Sequence, residues 1–260
     1  MGKRGPKRKG VIIDTQTSYA VPLAFGIVKD DVKDKFVGNF LNSISRRSKG
    51  DDGVVYPEYS LMTGFIGTAW ISMALSEIGK TDYAYKMLLN KQFPSWLYPV
   101  EQGATSIWER LNSYTKKDGF GGNNHMNSFN HYAFGSVTNW LMQRSLGIAE
   151  DVASPGFKHF ILRPEVDPTG GLTFAEGHYD SMYGRIESKW QTSADAITYH
   201  FTIPANTSAT VYLPAAKLKN VVLGNGAKLK KLSAVSNLRY ENGKAVFELA
   251  SGSYNFRVEK

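Results

Sequence analysis

The hydrophobic pattern of this chain changes period once, close to Pro155, and that change limits the fold more than any other feature. Before it, apolar residues recur at helical spacing. Ala20, Leu23, Ala24 and Ile27 fall at i, i+3, i+4 and i+7, with Pro22 inside the stripe predicting a helix start or a kink. Phe36, Val37, Phe40, Leu41 and Ile44 form a second stripe behind the acidic start signal Asp30-Asp31. Ile66, Ala69, Trp70 and Met73 make a third, stopped at Gly79. Ala84, Met87 and Leu88 give a short fourth helix that ends before Pro94. Phe93 to Pro99 reads as an aromatic-rich loop, and Ala133, Val137, Trp140, Leu141 and Arg144 define a fifth helix closed by Gly147.

Beyond Pro155 the signals are those of strands. Leu172–Gly177, Ile197–Phe201 and Thr210–Leu213 are rich in β-branched and aromatic residues. Asn242-Gly243, between Leu238-Arg-Tyr240 and Ala245-Val-Phe247, is a strong hairpin signal, and Gly224-Asn-Gly226 marks another turn. Short strands at this spacing predict an antiparallel β-sandwich of about a hundred residues. The expected organisation is a basic leader over 1–13, a helical domain over 14–150 and a sandwich over 151–260.

Composition excludes several functions. Five of the eight excess positive charges lie in the first ten residues, MGKRGPKRKG, which leaves only +3 on the rest. That concentration fits a disordered leader or the scar of a truncated reading frame better than a nucleic-acid surface. No apolar run approaches the roughly 18 residues that span a bilayer, so no membrane partner is expected. The chain has no cysteine, hence no disulfide and no thiolate metal site. His125 and His131 are six apart, wrong for two metal ligands on one helical turn, and Asp51-Asp52 lack calcium-loop spacing. With no G-x-S-x-G elbow and no P-loop either, neither a metal nor a cofactor is expected.

Two runs carry the chemistry: Gly103-Ala-Thr-Ser-Ile-Trp-Glu-Arg110 and Met126-Asn-Ser-Phe-Asn-His-Tyr-Ala-Phe-Gly-Ser136. A carboxylate between an indole and a guanidinium, followed by amides and a histidine, suits a polar site with aromatic walls. Trp108 beside Glu109 would desolvate the carboxyl and tune its proton affinity, whereas Arg110 would hold it ionised. The same residues also fit a helix start in which Glu109 only pairs with its neighbour. His131 fits a sugar-binding or a hydrogen-bonded core role, and Asn127 and Asn130 fit either the site or a helix cap.

Taken together, these runs resemble the paired signature of family 78 glycoside hydrolases, the bacterial α-L-rhamnosidases. Thr63-Gly-Phe-Ile-Gly-Thr68, Phe93-Pro-Ser-Trp96, Pro155-Gly-Phe-Lys-His-Phe160 and Gly177–Ile186 resemble further segments of that family, in the same order, from about Asp14 to Leu213. Ser106 stands where the family carries Thr, and Leu111 where an aromatic commonly follows. The resemblance implies that Glu109 is the general base of an inverting glycosidase and that His131 reaches a sugar hydroxyl. Asn130, Trp108, Phe65 and Trp96 are the accompanying substrate-binding candidates, the aromatics as walls against the apolar face of a deoxy sugar. The implied substrate is a rhamnose-containing glycoside.

The resemblance also implies an (α/α)6 toroid, of which five to six helices are about half. The expected fold is therefore α + β: a partial toroid followed by an antiparallel sandwich, with the missing N-terminal half of the barrel as a partner. No Asp- and Arg-rich segment of the kind that carries the family's general acid occurs, so little turnover is expected from this chain alone. Two other readings stand beside this one. One is a non-catalytic carbohydrate-binding or structural fragment, and the other is a different toroidal glycosidase or a polysaccharide lyase.

Overall fold

A computed structural model describes residues 13–50, 53–121 and 127–260. The expectations for the basic leader, for Asp51-Asp52 and for His125 concern positions outside the described residues. The chain divides into two compact units, Met1–Phe134 and Gly135–Lys260.

The first unit is built from helices α1 (Gln16–Ala24), α2 (Asp30–Ser45), α3 (Gly64–Glu77), α4 (Thr81–Leu88) and α5 (Leu97–Glu101), with a two-stranded ribbon, β1 (Ser48–Lys49) and β2 (Val55–Tyr56). Thr15 and Ser18 form a reciprocal capping box at the start of α1. The helix accommodates Pro22 and ends sooner than its apolar stripe. Gly26, at φ +64°, donates to Leu23 and Ile27 donates to Pro22, the paired bonds of a Schellman stop. Ile27 thus falls outside the helix and is exposed. Asp30 and Asp31 occupy the first turn of α2, where their charge complements the helix dipole, and Phe40 and Ile44 supply its buried face. The segment read as a loop contains the short helix α5.

α3 corrects the sequence reading most sharply. Its buried face is Gly67, Thr68, Ile71, Ser72, Ala74 and Leu75, whereas Ile66 is 74% exposed and Trp70 and Met73 are only half-buried. The cause is close packing against α1. A Cβ placed on Gly67 would lie 2.1 Å from Thr17 Oγ1, so only the smallest residue fits there. The two helices meet on their small residues, and the bulky stripe turns away.

The second unit opens with helical residues, but not with one regular helix. A 3-10 turn (Ala133–Ser136) that begins in the last two residues of the first unit leads into α6 (Val137–Trp140), and a π turn follows over Leu141–Ser145. The strands are β3 (Ile148–Glu150), β4 (His159–Leu162), β5 (Phe174–Ser181), β6 (Gly184–Thr192), β7 (Ala196–Pro214), β8 (Val221–Leu223), β9 (Val235–Glu241) and β10 (Lys244–Glu259). Ile197–Phe201 and Thr210–Leu213, read as two strands, belong to the single long strand β7. It pairs with β6 through its first half and with β4 through its second. Between the halves lie Pro204 and Asn206, the latter at φ +60°. β10 runs beside β7 throughout and breaks register between Ala250 and Gly252. Two bent strands thereby fold one continuous sheet into two facing leaves, and Phe247 of one leaf meets Phe256 of the other at 5.5 Å. Their inner faces share a single core containing Phe160, Trp190, Phe201, Val211 and Phe247. Pairing is antiparallel except between β4 and β7. Asn242 and Gly243 both take positive φ in the tight turn joining β9 to β10, as their side chains allow.

The end of the irregular helix is closed by partners from the sheet unit. The carbonyls of Arg144, Ser145, Leu146 and Gly147 accept from Glu165 N, Trp190 Nε1, Ser188 Oγ and Arg163 N respectively, at 2.6 to 2.9 Å. Helix-terminal carbonyls have no partner within their own helix, so these bonds complete the account of the terminus.

Candidate active site

The two chemistry-bearing runs lie side by side in the first unit. Glu109 N donates to Ser128 O at 2.8 Å, and His131 N donates to Ile107 O at 2.8 Å, a short ladder between segments twenty residues apart in sequence. Ser106 Oγ adds a bond to Phe129 O, and Ser113 Oγ donates to Asn127 Oδ1 at 2.6 Å. Beneath this ladder the Trp108 ring meets Phe129 edge-on at 5.4 Å and Tyr114 at 6.5 Å.

Glu109 is half-buried and faces a cavity of about 440 Å³. Its Oε2 accepts from the backbone N–H of Ser128 at 2.7 Å, and Oε1 is bonded to no described residue. One oxygen is therefore anchored while the other stays available to a ligand or a water. Among the described residues, Glu109 is the only carboxylate lining this cavity. The other walls include Tyr56, Leu61, Met62, Phe93, Arg110 and Phe134. Arg110 and Phe134 belong to the two chemistry-bearing runs, whereas Tyr56, Leu61, Met62 and Phe93 come from outside them and are positioned by loop geometry.

A buried glutamine fixes much of that geometry. Gln16 Nε2 donates to Ser60 O at 2.8 Å and Met62 N donates to Gln16 Oε1 at 2.9 Å, while Leu61 N donates to Pro94 O at 2.8 Å. An amide that both donates and accepts is suited to fastening an extended segment with no helix or sheet of its own. In the segment after it, Thr63–Thr68, four positions have a clear role. Gly64 takes φ +61°, Thr63 Oγ1 and Thr68 Oγ1 lie 2.7 Å apart, Thr17 Oγ1 donates to Thr63 O, and Gly67 admits α1.

Phe65, 43% exposed, stacks on His131 at 4.7 Å, and Tyr132, 87% exposed, stacks on the same imidazole at 5.4 Å with the planes 7° apart. Ala133 N donates to His131 Nδ1 at 3.3 Å. In the neutral ring that bond assigns the proton to Nε2, so the histidine presents a donor. The stack connects to the Glu109 cavity through Phe134, which lines it and meets Phe65 edge-on at 5.5 Å.

The remaining candidates are placed differently. Trp96 is 7% exposed and donates from Nε1 to Phe134 O at 2.9 Å, and Trp108 is also 7% exposed. Neither lines the cavity. Asn130 is exposed, and its backbone N–H donates to Ser128 Oγ at 3.1 Å. The structure thus joins Glu109 and His131 through one ladder, brings Phe65 to His131, and packs the two indoles underneath. Among the described residues no cluster of three or more His, Asp or Glu side chains is arranged to hold a metal ion, and no helix is long and apolar enough to cross a membrane.

Residues 4–144 match the family described as bacterial alpha-L-rhamnosidase 6 hairpin glycosidase domain, and residues 147–228 match the bacterial alpha-L-rhamnosidase C-terminal domain. An alpha-L-rhamnosidase from Streptomyces avermitilis is 34% identical over 94% of this chain, and one from Formosa agariphila is likewise 34% identical over 94%. The chain spans about a quarter of the length of these curated relatives, 22% and 25% respectively. The solved structure of the Streptomyces avermitilis alpha-L-rhamnosidase complexed with L-rhamnose has a TM-score of 0.78 at 33% identity, over 94% of this chain and 22% of that one. The Dictyoglumus thermophilum enzyme has a TM-score of 0.77 at 29% identity, over 95% of this chain and 25% of that one. Helical unit, trailing β-domain and both family matches agree: this chain belongs to the bacterial α-L-rhamnosidase family, as part of its six-hairpin toroid with the C-terminal β-domain attached.

Proposed function

We propose that this chain is the C-terminal part of an inverting α-L-rhamnosidase in which Glu109 is the general base. The observation that carries the reading is the placement of its carboxylate, which faces a cavity with one oxygen anchored by the Ser128 amide and the His131 run bonded alongside. Inversion needs a base that takes a proton from water on one face of the sugar and an acid that protonates the leaving oxygen on the other. The Oε1 of Glu109 takes the water proton, and the oxygen of that water attacks the anomeric carbon of a terminal rhamnosyl residue. Anchoring Oε2 restricts the carboxylate to one orientation, so little freedom is lost on the way to the transition state.

His131 supplies an Nε2–H to a sugar hydroxyl, its ring plane fixed by Phe65 and Tyr132. Phe65 also lends an apolar edge near the sugar methyl, and Asn130 an exposed amide. Trp96 and Trp108 act from beneath, by setting the positions of Phe134 and of the segment that carries Glu109. With Glu109 as the only described carboxylate in the cavity, the acid comes from another part of the parent protein. A rhamnose-containing glycoside is the substrate of that assembled site.

The test is Glu109→Gln in the complete parent enzyme, assayed on an aryl α-L-rhamnoside. Turnover should fall by about 10²–10⁴-fold, the usual contribution of a positioned acid or base. Near-normal turnover would remove Glu109 from the role.

A further inference from the structure

Within the sheet unit, three cations gather around one carboxylate at the end of the irregular helix. Arg144 is buried and pairs with the half-buried Glu165 at 3.4 Å. Arg163 continues β4 past Leu162, which pairs with Val211, and its guanidinium lies 6.0 Å from the centroid of the Tyr212 ring. Lys244 opens β10 opposite Pro214, two residues beyond Tyr212 on β7. Glu165 offsets one of these three positive charges.

The other two lack a counter-charge. Neither the Arg163 nor the Lys244 side chain makes an ion pair or hydrogen bond with a described residue, and Arg163 Nε is buried without an acceptor. Glu241 and Glu248, the carboxylates nearest to Lys244 along β9 and β10, are engaged elsewhere. Glu241, opposite Lys244 across the hairpin, accepts from Arg239 Nε at 3.1 Å. Glu248 accepts from Thr210 Oγ1 at 2.7 Å and lies 3.0 Å from His159 Nε2. Burial and then the Arg163 charge hold the Lys244 ammonium below the usual lysine range, and the same two causes lower Arg144. Glu165 acts the other way on both without cancelling them. Arg163 and Lys244 are half-buried, so water screens this repulsion only in part.

We propose that Arg163 and Lys244 hold a small oxyanion (a carboxylate, a sulfate or a phosphate) where the chain leaving β4 passes the start of β10. Both side chains suit an anionic oxygen, the guanidinium with its planar set of donors and the ammonium as a point charge. A bound anion supplies the missing counter-charge and ties the end of β4 to β10, so occupancy stabilises the sheet unit. This site is independent of the role given to Glu109.

The experiment titrates this chain at neutral pH with sodium phosphate, sodium sulfate and sodium acetate, each balanced with sodium chloride to constant ionic strength. It is read by amide NMR and by the thermal midpoint. At least one anion should give saturable shifts centred on Arg163, Tyr212 and Lys244, with a dissociation constant on the order of 1–10 mM. At tenfold excess over that constant the midpoint should rise by about 3–6 °C. Any one anion that saturates upholds the site, and the order of the three separates a tetrahedral ligand from a carboxylate. Arg163→Gln with Lys244→Gln should abolish the saturable response. In chloride alone the sign reverses: Lys244→Gln should raise the midpoint, because it removes a cation from beside two others.

Phosphate and sulfate also stabilise proteins by exclusion from their surface, but that effect does not saturate and survives in the variants. A response of that kind only would overturn the proposal. So would titrations in which replacing chloride by the oxyanions changes nothing. A lower midpoint for Lys244→Gln in chloride would overturn it too, by showing that the ammonium already has its partner within the fold.

Discussion

Trp190→Phe tests whether the sheet unit depends on its hold over the irregular helix that precedes it. Trp190 is fully buried, and its indole N–H donates to Ser145 O at 2.8 Å, while Ser145 is itself only 1% exposed. Phenylalanine keeps most of the apolar contact and removes the donor. Removing the indole donor to a buried carbonyl costs about 1–3 kcal/mol. The smaller ring leaves a void worth about 1 kcal/mol more. The variant should therefore lose about 2–4 kcal/mol.

Ile186→Val is the matched control. Ile186 is fully buried on the same strand, its side chain donates no hydrogen bond, and the change should cost about 1 kcal/mol. Ser188→Ala, which removes the donor to Leu146 O, should fall between the two. Combining it with Trp190→Phe should cost less than the sum, because both bonds hold one helix end that frays as a unit. Urea denaturation of the chain, with hydrogen exchange resolving residues of β6 and of the helix, separates the sheet unit from the rest. A Trp190→Phe cost no larger than that of Ile186→Val would show that Trp190 acts by packing alone, and the terminal account would be wrong.

Three further outcomes follow from local geometry. Gly147→Ala should destabilise by more than about 3 kcal/mol in the same assay, since Gly147 sits at φ +77° and an added Cβ would fall 2.2 Å from Pro164 N. Gly67→Ala should cost about 1–3 kcal/mol by forcing α1 off α3, and the companion change Thr17→Ala, which removes the clashing hydroxyl, should recover part of it. Asp14→Asn should show a pH-dependent effect. The hydrogen bonds from Arg46 and then Tyr19 hold the Asp14 carboxyl below its usual range, so its contribution is fully present above about pH 5 and is lost as pH falls through the folded value. Because the pair is partly solvent-exposed, the gap from wild type should be at most about 1 kcal/mol at neutral pH, and it should close in acid denaturation curves.

What could be read from the sequence depended on whether a feature was set by neighbours in the chain or by distant partners. The change of period gave the order of helices and strands, because periodicity reports which face is buried whenever one face differs from the other. Asn242-Gly243 gave its hairpin because the turn itself demands positive φ. α3 defeated the same method. It is apolar nearly all round, so its stripe of large residues carried no information about which side would pack, and contact with Thr17 decided the matter for Gly67. β7 gives two separate strand signals with Pro204 and Asn206 between them, and β10 runs alongside and holds the bend within one strand.

The candidate site divides along the same line. Glu109 and His131 stood out as residue types in a motif, and the ladder between Glu109–Ser128 and Ile107–His131 is the long-range fact that makes them neighbours. Gln16 was invisible for the opposite reason. An isolated glutamine near the start of a helix has no local signature, and its importance appears only when Ser60 and Met62 arrive on either side of its amide. The carboxylate is the chemistry, but the cavity around it depends on that amide, on two glycines in Thr63–Thr68 and on the Pro94 carbonyl. Residues that shape such a cavity are chosen for hydrogen-bonding geometry and for lack of bulk. They are therefore the least conspicuous letters in the chain, even though the position of Glu109's cavity rests on them.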